Sequence, residues 1–177
     1  MPRLTAIDPA TATGKAKEIF DGPLAGKHLN IFKSMANSPA TLQAYLALAG
    51  ALGDSVLSDK EREIIQLAVG QANNCEYCVA AHTAIGKGAG LTDDQALGAR
   101  RGTVDGDAKL DALAKFALAI HEKKGFVSNE DLSTFKAAGY DDAAVADTVT
   151  TYALAVFTNY FNHVNETEID LPAAPAL

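Results

Sequence analysis

Residues Ser58–Gly88 read SDKEREIIQLAVGQANNCEYCVAAHTAIGKG and carry the local signals that decide the fold class. Ser58 and Glu61 have the spacing of a capping box, which predicts a helix from this point to about Ala72. An Asn-Asn turn follows. A second helix is predicted over residues 75–87, and the glycines around its last residue end it. Two helices joined by a tight turn, with no alternating strand pattern, indicate an all-α protein.

The same start and stop signals recur on both sides of this stretch. Ser, Thr or Asp residues mark helix starts, and glycines mark helix ends. They predict further helices over residues 12–20, 39–52, 92–101, 107–124, 128–138 and 141–164. No internal repeat or linker interrupts this pattern, so residues 1–177 are predicted to form one helical bundle. The Pro/Ala-rich tail, residues 172–177, is expected to be flexible.

Composition supports the same fold class and excludes some partners. The 177 residues include 34 alanines, and alanine is the best helix former. The 15 Lys and Arg against 22 Asp and Glu give a net charge of −7, so no broad basic surface is available for nucleic acid or an anionic membrane. The uncharged stretches 34–53 and 148–165 contain too many polar residues to span a bilayer. The N-terminus has no secretory signal, so a cytoplasmic location is expected.

The two cysteines stand in a CxxC pair at the start of a predicted helix. Cys75, Cys78 and His82 fall within about 60° of one another on a helix that turns about 100° per residue. The unpaired N–H groups at a helix N-terminus favour a thiolate, and His82 is one turn from Cys78, where it can take the thiol proton. This arrangement indicates a reversible disulfide.

The same residue types leave other interpretations open. Cys75, Cys78 and His82 would supply three of the four ligands of a zinc site, but no second closely spaced ligand pair exists. Two small thiols could also be inert core residues. The thioredoxin interpretation of a CxxC pair requires a βαβ context, which this chain lacks.

Four positions at fixed spacing carry a resemblance to a known family. The spacing of Glu63, Cys75, Cys78 and His82 resembles the E-x11-C-x2-C-x3-H signature of the AhpD-like alkylhydroperoxidases. Eleven residues separate the glutamate from the first cysteine, two separate the cysteines, and three separate the second cysteine from the histidine. These belong to the peroxidase-related branch of the carboxymuconolactone decarboxylase superfamily. The motif region covers residues 58–95. The resemblance implies an all-α bundle of the AhpD-like type, an antioxidant oxidoreductase without metal or cofactor, and a homo-oligomer, either trimer or hexamer.

The resemblance also implies a role for each residue of the signature. Cys78 matches the peroxidatic cysteine, which attacks a hydroperoxide, and Cys75 matches the resolving cysteine, which forms a disulfide with it. An external dithiol or disulfide reductase then reduces that disulfide. Glu63 and His82 match the relay that removes the proton of Cys78. Better-characterised members have a histidine between the two cysteines, where this chain has Tyr77, whose hydroxyl can donate a hydrogen bond.

The last predicted helix is the longest. Val145, Val149, Tyr152, Val156 and Tyr160 form one apolar stripe along it, so it is either the central helix of the core or a surface for another subunit.

His163, on this helix, is a further candidate for lining the site. Two other functions remain open: a lyase acting on a carboxymuconolactone-like acid, which needs no CxxC pair, and a non-enzymatic zinc module.

Overall fold

The computed structural model describes residues 1–177, which form nine α-helices and no strand. The helices are α1 (Gly14–Asp21), α2 (Asn30–Met35), α3 (Pro39–Ala51), α4 (Asp59–Ala72), α5 (Glu76–Gly88), α6 (Asp93–Arg101), α7 (Ala108–Glu122), α8 (Asn129–Ala137) and α9 (Asp142–Asn165). A short 3-10 turn, Leu52–Asp54, follows α3. The predicted all-α class is therefore confirmed.

Capping explains why the helices begin where the sequence indicates. Reciprocal capping boxes start α4 at Ser58, α6 at Thr92 and α8 at Ser128. The exception is α2, which the sequence did not predict. Its N-cap, Leu29, has no side chain that can accept a backbone N–H, so the chain gives no start signal there.

The centre of the bundle is α4. Ile64, Ile65, Leu67 and Val69 on this helix are fully buried, and α5, α6, α7 and α9 all pack around it. One apolar cluster joins α4 to α6, α7 and α8. A second, smaller cluster joins α1, α2 and α3 to the CxxC pair at the start of α5. The cysteines are thus part of a packed region.

The buried face of α9 differs from the predicted apolar stripe. Its buried residues include Thr148, Thr151, Thr158, Asn159, Asn162 and Asn165. The threonines tolerate burial because each donates its hydroxyl to a backbone carbonyl one turn earlier, as Thr148 does to Ala144 at 2.7 Å. Val149 and Tyr160 of the apolar stripe are exposed instead. The central helix is therefore α4, and α9 presents apolar side chains outward.

None of the nine helices combines the length and the apolar character that crossing a bilayer requires.

Candidate functional site

The CxxC pair lies at the turn between α4 and α5. Asn74 adopts a left-handed backbone conformation (φ 55°), and the next residue donates its N–H to the Gly70 carbonyl at 2.9 Å. Cys75 is the N-cap of α5, where its sulfur accepts the backbone N–H of Cys78 at 3.4 Å. The two cysteines form a disulfide with a Cα–Cα distance of 5.3 Å. Both are buried, with 1% and 2% of their surface exposed.

The two cysteines of the disulfide line different cavities. Cys78 and His82 line one small apolar cavity, whereas Cys75 lines two larger clefts. The sequence predicted one shared face for all three residues. Cys75 departs from it because an N-cap residue does not follow helical geometry, and its backbone (φ −88°, ψ 88°) is not helical.

Glu63 of α4 and His82 of α5 form a partly buried pair beside this cavity. The Oε2 atom of Glu63 lies 2.7 Å from Nδ1 of His82. A carboxylate only accepts hydrogen bonds, so in this contact Nδ1 of His82 carries the proton. The structure therefore places Glu63 against His82, which lines the same cavity as Cys78.

Tyr77 lines the same cavity, but its hydroxyl is used elsewhere. It donates to Oδ1 of Asp170 at 2.8 Å and accepts the N–H of Ile31 at 3.4 Å. Burial, together with the hydrogen bond to Asp170, raises the pKa of Tyr77, so the hydroxyl stays protonated. Asp170 also accepts the N–H of Asn30 at 2.7 Å. Tyr77 therefore fastens the C-terminal segment to the start of α2.

His163 lies near Cys75 and does not line the Cys78 cavity. Its exposed ring stacks on Tyr160, with 6.3 Å between ring centroids, and it lines one of the clefts next to Cys75. It makes no hydrogen bond to either cysteine.

Asn162 of α9 is the residue of this site that the sequence did not single out. Its Nδ2 lies 3.2 Å from the sulfur of Cys78 and 3.9 Å from that of Cys75. An N–H donor at this position stabilises negative charge on Cys78. The sequence showed only that residues 148–165 carry no charge, and no local signal marks which asparagine faces the cysteines.

The cavity beside Cys78 has a volume of about 80 Å³. Most of its lining is apolar and comes from α2, α3, α5 and α9: Leu29, Ile31, Phe32, Tyr45, Ala81, Ile85 and Leu154. Burial and the nearby negative charge of Glu63 raise the pKa of Tyr45, so its hydroxyl also stays protonated. No lysine or arginine lines this cavity.

The two clefts beside Cys75 are larger, with volumes of about 310 and 340 Å³. The first lies between the start of α5, Arg100 and the tail. Arg100 donates to the carbonyl of Pro175 at 2.6 Å and to Oε1 of Gln71 at 3.0 Å. The tail, which was expected to be flexible, lies against α5 and α6.

With regard to metals, the structure groups no three His, Cys, Asp or Glu side chains so that they could hold one ion.

Residues 39–120 match the model of the carboxymuconolactone decarboxylase family. An uncharacterized protein of Haemophilus influenzae is 49% identical over 45 residues, which are 25% of this chain. The matched part spans only 40% of the length of that relative.

Solved structures share the fold over nearly the whole chain. The alkylhydroperoxidase AhpD core of a peroxidase-related protein from Ralstonia eutropha JMP134 superposes with a TM-score of 0.84 at 24% identity, covering 96% of this chain and 92% of that one. A peroxidase-related protein from Silicibacter sp. TM1040 gives 0.77 at 24% identity over 94% and 92%. A cysteine-to-alanine variant of the debrominase Bmp8, in complex with 2,3,4-tribromopyrrole, gives 0.79 at 16% identity over 96% and 92%. At such identities these likenesses establish the fold.

Proposed function

We propose that this chain is an AhpD-like member of the carboxymuconolactone decarboxylase superfamily and that it is a cysteine-based thiol peroxidase that reduces hydroperoxides. One observation carries the proposal. Cys78, in disulfide linkage with Cys75, lines a cavity together with His82, whose Nδ1 is held by Glu63. A nucleophile, a base and a resolving thiol are the parts that this reaction needs.

The reaction begins with both cysteines reduced. The thiol proton of Cys78 passes to Nε2 of His82, and Asn162 and the N-terminus of α5 stabilise the thiolate. The thiolate attacks the terminal oxygen of the hydroperoxide, so an S–O bond forms while the O–O bond breaks. The alcohol leaves with the proton of His82. Cys78 is now a sulfenic acid, and Cys75 displaces water from it to form the disulfide.

Reduction of the disulfide starts at Cys75. An external dithiol attacks the sulfur of Cys75 through the clefts that Cys75 lines, and Cys78 leaves as a thiolate. The second thiol of the donor then closes its own disulfide and regenerates two thiols. Asn162 favours this direction because its N–H stabilises Cys78 as the leaving group. A reducing cytoplasm maintains dithiol donors of this kind and is the proposed compartment.

Stoichiometry tests this proposal directly. Fully reduced protein is mixed with one equivalent of tert-butyl hydroperoxide, and both peroxide and free thiols are titrated. We expect one hydroperoxide consumed and two thiols lost per chain, with the disulfide between Cys75 and Cys78 found by peptide mass spectrometry. Hydroperoxide that persists in the presence of reduced protein contradicts the proposal.

A second candidate function is reductive dehalogenation of a small aromatic compound. The aromatic rings of Phe32, Tyr45 and Tyr77 around the Cys78 cavity favour it, as does the shared fold with the debrominase. The Cys78 thiolate would take the halogen, so an S–halogen bond forms and the C–halogen bond breaks. His82 would protonate the carbon, and Cys75 would displace halide to form the disulfide. Release of one bromide per disulfide from a brominated pyrrole would support this function over peroxide reduction.

We also propose that the chain assembles as a homo-oligomer through α9. Val149, Tyr160 and Val164 are 48%, 53% and 65% exposed, and helical spacing places them along one line of this helix. Exposed apolar residues in a row are typical of a subunit interface.

Wild-type protein is expected to have the mass of a trimer or hexamer of the 18.5 kDa chain in light scattering. The double variant Tyr160→Glu, Val164→Glu is expected to be monomeric, since a second copy would have to bury two charges. Phe126→Glu, at an exposed site outside α9, serves as the matched control and should leave the mass unchanged. A wild-type mass of a single chain contradicts the proposal.

A further inference from the structure

Two buried amide oxygens at the Cys78 cavity have no hydrogen-bond partner in the protein. They are Oε1 of Gln66 on α4 and Oδ1 of Asn162 on α9. Both residues line the cavity, and each has only 4% of its surface exposed. Burying an acceptor without a donor is unfavourable, so native proteins rarely retain two such groups around one cavity.

Three other polar side chains of the cavity already have partners. The hydroxyl of Thr158 donates to the backbone of α9, with its oxygen 3.0 Å from the Ala155 carbonyl. Tyr77 donates to Asp170, and Nδ1 of His82 is held by Glu63. The two amide oxygens are therefore acceptors that the protein itself leaves free.

We propose that Gln66 and Asn162 form an acceptor pair that binds the O–H donor of an uncharged substrate next to Cys78. This inference rests on the proposed function and adds to it the feature of the substrate that the site recognises. Asn162 can act on both partners at once. Its N–H lies 3.2 Å from the sulfur of Cys78 while its oxygen is free, so one amide can align the nucleophile and the donor of the substrate.

The chemistry of a hydroperoxide fits this pair. Its terminal oxygen, which the thiolate attacks, is also the atom that carries the hydrogen. That hydrogen stays on the oxygen as the S–O bond forms and the O–O bond breaks, so the sulfenic acid can keep the same hydrogen bond. A dialkyl peroxide has no O–H to donate.

Charge narrows the substrate class further. Without lysine or arginine in its lining, and with Glu63 beside it, the cavity disfavours anionic peroxides. The expected substrate is a small, uncharged hydroperoxide.

Gln66→Met tests the acceptor pair because it removes the free oxygen, keeps the length of the side chain and does not touch Cys78. We expect kcat/KM for tert-butyl hydroperoxide to fall about tenfold, the effect of losing one hydrogen bond. The urea midpoint should stay equal or rise, since an unpaired buried acceptor has been replaced by an apolar group. Gln66→Leu repeats the test with a different apolar shape. Gln43→Met, on the exposed side of α3, is the matched control.

Two results would overturn the inference. An unchanged kcat/KM in both Gln66 variants would show that the oxygen does not bind substrate. A fall in stability that accompanies the fall in activity would show that Gln66 has a structural role instead.

A binding experiment separates this inference from the proposed function. Oxidised wild-type protein is titrated with tert-butanol, which has an O–H donor, and with tert-butyl methyl ether, which has none, and chemical shifts are followed by NMR. Preference for the alcohol in wild type, lost in Gln66→Met, supports the acceptor pair even if no hydroperoxide is reduced. Equal binding of alcohol and ether contradicts it, whether or not hydroperoxide is reduced.

Discussion

Replacing Cys78 with serine is expected to lower the rate of hydroperoxide reduction by about a thousandfold or more, because a serine hydroxyl does not ionise near neutral pH and is a far weaker nucleophile. The change is nearly isosteric at a buried position, so the fold should persist. Stopped-flow measurement of the loss of tert-butyl hydroperoxide under single-turnover conditions gives the rate directly.

Cys75→Ser is the matched control for this experiment. It removes the other half of the disulfide but leaves Cys78, His82 and their cavity in place. We expect one hydroperoxide to be reduced at a rate close to that of wild type, followed by a stop, since no thiol remains to resolve the sulfenic acid. Equal first turnovers in wild type and Cys78→Ser would show that Cys78 is not the nucleophile.

Glu63→Gln is expected to lower the rate of the first turnover about a hundredfold. In the proposed mechanism, the carboxylate of Glu63 fixes the Nδ1–H tautomer of His82 and stabilises the ring when it takes the thiol proton. A glutamine of the same shape can present its own N–H to Nδ1, which would place the proton of His82 on the nitrogen that must accept one from Cys78. The rate of thiol alkylation by iodoacetamide and the peroxide rate should fall together.

Glu122→Gln at the exposed end of α7 controls for the loss of one negative charge. It should leave both rates unchanged. If Glu63→Gln keeps the wild-type rates while its urea midpoint is also unchanged, the pair has no part in proton transfer.

Local signals explain how much of the fold was predictable. Ser58, Thr92 and Ser128 have partners three residues later that complete capping boxes, and these interactions depend on neighbouring residues alone. The start of α2 at Leu29 lacks such a signal, and packing of Ile31, Phe32 and Met35 holds that helix instead. Tertiary contacts of this kind leave no pattern in a six-residue segment.

Some residues of the site were likewise predictable from local sequence and others were not. Glu63, Cys78 and His82 lie within twenty residues on two consecutive helices, so their spacing in the sequence is enough to predict that they lie close together. Gln66 and Asn162 meet the cavity from helices almost a hundred residues apart, and buried amides follow no periodic rule. The burial of the Thr and Asn face of α9 could not be predicted for a related reason. Threonines are polar residues in the sequence, but they can be buried when their hydroxyls donate to their own helix.

The hydrogen bond from Tyr77 to Asp170 gives a structural role to the residue between the two cysteines, where a tyrosine stands in place of a histidine. A histidine there could take part in proton transfer, whereas the Tyr77 hydroxyl donates to the C-terminal segment and stays protonated. We therefore propose that proton transfer from Cys78 uses His82 and Glu63 and does not use Tyr77.

The most direct test of the account is to identify the sulfur that is oxidised first. Cys75→Ser protein is reduced, treated with one equivalent of tert-butyl hydroperoxide in the presence of dimedone, and analysed by peptide mass spectrometry. We expect one dimedone adduct per chain, on Cys78. Unmodified Cys78 after the hydroperoxide has been consumed, or a sulfenic acid that forms on Cys75 at the wild-type rate in Cys78→Ser protein, would contradict it.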